Sequence, residues 1–75
     1  MNKERREKIE GAKAQLEEAK AILEECKDEE QEYLDNMPEN MQGGEKADAA
    51  QEAIDSLDNA IDSVDEATSA LEEIE

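Results

Sequence analysis

The chain has 75 residues, enough for one small domain (1–75), and carries 8 Lys or Arg against 24 Asp or Glu, a net charge of −16. That balance excludes a basic nucleic-acid-binding surface. A lone cysteine excludes an internal disulfide scaffold, the absence of His excludes imidazole catalysis and His-containing zinc sites, and no apolar run nears the roughly 18 residues of a membrane span.

No basic segment leads into an apolar stretch, so no secretory signal is expected. High charge and a single aromatic, Tyr33, approach the composition of disordered chains. Periodicity argues the other way. From about Lys3 to about Leu34 the sequence is free of proline and keeps a heptad. Position a falls on Ile9, Leu16, Leu23 and Glu30, and position d on Ala12, Ala19, Cys26 and Tyr33. A sustained 3-4 spacing of apolar residues is the seam of a coiled coil. A first helix over about 3–34 follows.

Residues 35–45, DNMPENMQGGE, interrupt the pattern with Pro38 and the pair Gly43-Gly44. They read as a linker. Pro38 suits the start of a single helical turn, because its missing N–H is one that a first turn leaves unpaired. Tyr33, Leu34, Met37 and Met41 cluster around it and are expected to cap the open end of the core; the alternative is an apolar contact patch at the tip.

The second helix should run from about Glu45 to about Glu73, with Glu45 and Asp48 near its positive N-terminal end. Its a positions are Ala47, Ile54, Ile61 and Thr68, and its d positions Ala50, Leu57, Val64 and Leu71. The segments IDSLDNA (54–60) and IDSVDEA (61–67) are nearly a repeat. Each helix alone is marginal in water, so the two stripes must pack on something.

They fit each other antiparallel. A register centred on Asn40, within the linker, pairs Ile9 with Leu71, Leu16 with Val64 and Leu23 with Leu57. It sets Ala19 against Ile61, Cys26 against Ile54 and Tyr33 against Ala47. The same register flanks Arg6 with Glu72, Lys13 with Asp65 and Lys20 with Asp58, and places Lys27 beside Gln51. Exposed ion pairs add little stability, but they select a register against its alternatives. The fold class is therefore all-α, a coiled-coil-like antiparallel two-helix hairpin with its core at Ile9, Leu16, Leu23, Cys26, Ile54, Leu57, Ile61, Val64 and Leu71.

The opposite flank has no charge lock. It carries Ala53, Ala60, Ala67 and Ile74 from the second helix and Ile22 from the first. Two helices make a thin core, so self-association through this flank is expected, as a homodimer forming a four-helix bundle or a small oligomer. The alternative is a monomer whose alanines serve helix propensity alone.

Charge is divided along the chain. Residues 1–27 carry 7 basic and 7 acidic side chains, whereas residues 28–75 carry 1 basic and 17 acidic. The excess lies on the linker half of the chain and the second helix, whose outer face holds Asp48, Glu52, Asp55, Asp62 and Glu66. Aspartate is a weaker helix former than glutamate, so its use in mid-helix suggests short, fixed carboxylates presented to a basic partner. The alternative is a solvated face that keeps a small protein in solution.

Catalytic chemistry is not expected. Cys26 has no His to activate it and falls on the predicted seam. The Asp55/Asp58 and Asp62/Asp65 pairs lack the looped oxygen ligands and central glycine of a calcium site. Gly43-Gly44 lacks the flanking residues of a phosphate loop. No enzyme, cofactor or metal is expected, and no direct nucleic-acid or membrane contact.

The stretch EEQEYLDNMPENMQ (29–42), between two acidic helices, resembles small helical-hairpin proteins of phages and prophages that share a D-N-M-P-E turn. The resemblance implies a phage accessory protein acting in the cytoplasm of a bacterial host. The expected function is an inhibitor or modulator, with host defence as one target, that binds a basic host protein through the acidic second helix. Two alternatives are an oligomer sequestering a small ligand or nucleotide signal at the basic end (Lys3, Arg5, Arg6, Lys8), and a structural or assembly adaptor.

Overall fold

Two helices and one short turn account for nearly all of the described residues, 1–74, of the computed structural model. Helix α1 spans Lys3–Asp35 and helix α2 spans Glu45–Glu72, with a 3₁₀ turn at Glu39–Met41 between them. Asn2 starts α1: its Oδ1 accepts the Arg5 N–H at 2.8 Å, satisfying a donor that the first turn leaves free. The helix stops before Asn36-Met37-Pro38 because a residue preceding proline is pushed out of the helical region. Pro38 opens the 3₁₀ turn, and the Gln42 side-chain amide donates to the Met37 carbonyl at 3.0 Å, closing the loop. Gly44 is the N-cap of α2 and gives it no side-chain acceptor.

The helices pack against each other along their length as an antiparallel hairpin. The chain measures 59 × 15 × 12 Å, with a radius of gyration of 17.3 Å. A compact domain of this length would have about 11 Å. The buried residues are Met37, Ala47, Ala50 and Ile54, all at the turn end. Met37 and half-buried Leu34 plug this end of the core, whereas Tyr33 is 48% and Met41 38% exposed. The cap therefore uses one half of the expected cluster.

Helix α2 uses its stripe as expected. Ala47, Ala50 and Ile54 are buried, and Leu57, Ile61, Val64, Thr68 and Leu71 are half-buried. Helix α1 is rotated from the expected seam. Its half-buried residues include Ile9, Lys13, Leu16, Ala19, Lys20, Leu23, Lys27 and Leu34. The a positions stay inward, but the e positions join them, and Ala12, Cys26 and Tyr33 at d face solvent. Cys26 is thus exposed and is not a core residue. Leu34, not Tyr33, turns inward.

Size explains the rotation. At d, α1 has small Ala12, Ala19 and Cys26, which gain little on burial. At e it has Lys13, Lys20 and Lys27, whose aliphatic stems cover apolar surface while their ammonium groups reach carboxylates.

The ion pairs shift for a related reason. Lys20 pairs with Asp65 at 2.8 Å and Lys27 with Asp58 at 2.5 Å. The expected partners were Asp58 and Gln51, one heptad nearer the turn. Helical side chains lean toward the N-terminus of their own helix. The lysines of α1 therefore lean away from the turn, and the aspartates of α2 lean back to meet them. Lys13 turns instead to Glu10 of its own helix, at 2.9 Å. Arg6 donates to the Met1 carbonyl at 3.3 Å and has no carboxylate partner among the described residues.

Candidate docking face

The Lys–Asp bridges mark one flank of the hairpin and divide the carboxylates of α2 into two sets. Asp58 and Asp65 are spent internally on Lys27 and Lys20. Asp48, Glu52, Asp55, Asp62 and Glu66 are exposed, and among the described residues none has a lysine or arginine at ion-pair distance. Asp48, Asp55 and Asp62 recur every seven residues, so they line up at roughly 10 Å intervals along α2. Asp55 accepts from the Gln51 side-chain amide at 3.1 Å, which fixes its rotamer without reducing its charge.

The bridging lysines are electrostatically distinct from the rest. Hydrogen bonding to Asp65, reinforced by its charge, raises the Lys20 pKa above the usual lysine value of 10.5. Asp58 does the same for Lys27. The ammonium groups are held in the charged form and help anchor α2 so that its free carboxylates face outward.

Among the described residues no three His, Cys, Asp or Glu side chains are grouped to hold a metal ion. No helix there is long and apolar enough to cross a membrane. Open clefts interrupt the surface of the described residues. One, at the turn end, is lined by Leu34, Asp35, Gln42, Ala47, Asp48 and Gln51. Another, at the terminal end, is lined by Arg6, Ile9, Glu10, Lys13, Leu71 and Ile74, and its Lys13 is already engaged by Glu10.

The residues expected to mediate self-association fall on the flank opposite the bridges. Ile22 is 60% and Ile74 41% exposed, Ala67 is exposed, and Ala53 and Ala60 are half-buried at the edge of the interface. Sequence reasoning did not place Ala12 and Cys26 on that flank. The signal was available in the size contrast between d and e of α1. Comparison with protein-family models, curated proteins and solved structures returned no match for this chain.

Proposed function

We propose that this chain is a non-enzymatic binding protein that docks the outer face of α2 on a basic protein surface. The observation that carries the reading is the row of exposed carboxylates, Asp48, Glu52, Asp55, Asp62 and Glu66, without internal cations on a chain of net charge −16. A rigid helix presents them in fixed positions, so a complementary basic patch is recognised without ordering a loop. The resemblance of residues 29–42 to phage hairpin proteins supplies the setting: a phage accessory protein in the bacterial cytoplasm that inhibits or modulates a host protein. A nucleic-acid-binding defence factor has the required basic surface.

The test is capture from a bacterial host lysate with the wild-type chain and with a variant carrying Asp48→Asn, Glu52→Gln, Asp55→Asn, Asp62→Asn and Glu66→Gln. The reading requires a basic protein that the wild type retains and the variant loses. Equal capture by both chains removes it.

A further inference from the structure

The hairpin has one long flank without charge. The Lys20–Asp65 and Lys27–Asp58 bridges fix which flank is locked. On the other, α1 presents Ala12, Gln15, Ile22 and Cys26, all exposed. From Ala49 to Ile74, α2 presents only Ala, Ser and Ile at alternating spacings of four and three residues. Both rows keep the heptad spacing of a seam, and apart from Ala53 and Ala60, half-buried at the edge of the interface, their residues are exposed.

We infer that this flank is a self-association surface whose occupant is a second copy of the same chain. The two copies are related by a twofold axis across the hairpin's long axis, so that the turn end of each lies over the terminal end of the other. The inference is separate from the acidic docking face: Asp48, Asp55 and Asp62 lie toward the bridged side, whereas Glu52 and Glu66 lie on the back of α2 at the rim of the uncharged row.

Area supports it first. The chain exposes 5658 Å². A globular protein of its mass exposes about 4,600 Å². The difference, roughly 1,000 Å², comes from the rod shape of 59 × 15 × 12 Å, and it leaves room for the approximately 800 Å² that each partner contributes to a standard interface. Covering this flank gives Ile22, 60% exposed in the single chain, the burial that its size rewards.

Charge then selects the occupant and its direction. Two chains of net charge −16 repel through most of their surface, and the rows of this flank carry no carboxylate of their own, with Glu52 and Glu66 at the rim. It is self-complementary, as a twofold interface requires. The two ends of the hairpin differ: the turn end, residues 28–45, holds 7 acidic and no basic side chains, whereas the terminal end brings together 4 basic and 2 acidic in residues 1–8 with 3 acidic in residues 72–75 and is close to neutral. A head-to-tail pair sets these ends against each other. Glu29 and Lys8, in the same heptad row of α1, then lie at matching levels, with Ala19 near its own counterpart. A pair with both turns at one end would stack the acidic segments.

Sedimentation of the full chain from micromolar to millimolar concentration tests the proposal. The expected mass is twice the 8.4 kDa of one chain, falling toward one on dilution. A single-chain mass throughout overturns it, including the case in which the flank serves a different protein. Ile22→Lys with Ser63→Lys lowers the net negative charge yet should abolish the dimer while keeping helicity by circular dichroism. Ala21→Lys, on another face of α1, should leave it intact. A double-mass I22K/S63K overturns the proposal.

Cys26 gives a readout that needs no variant. Its thiol reactivity should fall at least about tenfold between dilute and concentrated protein. Constant reactivity counts against the flank. For direction, Ala19→Cys in a Cys26→Ser background should form an interchain disulfide with oxidised glutathione. A double-mass species that fails to cross-link overturns the head-to-tail arrangement.

Discussion

Lys20 of α1 and Asp65 of α2 meet at 2.8 Å, one heptad further from the turn than a level pairing of the helices would place them. The offset follows from the N-terminal lean of helical side chains, which carries the lysine and the aspartate toward each other in an antiparallel pair. Register is thus expressed in which aspartate each lysine selects. A double-mutant cycle checks this. Lys20→Glu should destabilise the hairpin, and adding Asp65→Lys should recover part of the loss. The swap with Asp58→Lys should recover less. Equal recovery at both aspartates, in thermal melts, would contradict the observed pairing.

The alkaline limit of stability follows from the same bridges. Lys20 and Lys27 have pKa values raised above 10.5 in the folded chain. A raised folded value means that the unfolded state loses its proton first as pH rises. The contribution of the bridges is therefore complete below 10.5 and is lost as pH climbs through the folded values. Lys20→Arg with Lys27→Arg keeps the charge to higher pH and should reduce the fall in melting temperature in that window. Identical alkaline melting profiles for both proteins would contradict it.

Buried apolar residues are concentrated at the turn end, where Ile54 is 3% exposed and Met37, Ala47 and Ala50 are buried as well. Truncating a buried isoleucine to alanine typically costs about 2–5 kcal/mol. A two-helix core supplies little more than that. Ile54→Ala should therefore leave the chain largely unfolded at room temperature by circular dichroism. A loss below about 0.5 kcal/mol in urea titration would show that the turn end does not hold the hairpin together.

Self-repulsion and ion pairing respond to salt in opposite directions. Two bridges between partly exposed groups are set against a net charge of −16. Exposed pairs weigh little, so screening the repulsion should dominate. The melting temperature should rise by several degrees between low salt and about 0.5 M sodium chloride. A fall would give the bridges a larger share of stability than their exposure allows.

The linker was legible in the sequence because Pro38 and Gly43-Gly44 act through local backbone chemistry. The stripe of α2 was legible because its large residues, Ile54, Leu57, Ile61 and Val64, all lie on a and d. The rotation of α1 was not. Counting Ala12 and Cys26 as equal to Leu16 and Leu23 hides how little area they bury, and counting Lys20 as polar hides its stem. Exposure of Asp48, Asp55 and Asp62 followed from their place opposite the seam. Their freedom from lysine partners did not, because it depends on which aspartates the leaning lysines take.

The most direct measurement of the proposed role is the affinity for the captured partner across ionic strength. Docking through five exposed carboxylates predicts a dissociation constant that weakens steeply, by about tenfold or more, from 50 to 500 mM salt, mainly through slower association. An affinity that ignores salt, or that the five-site neutral variant matches, would contradict it.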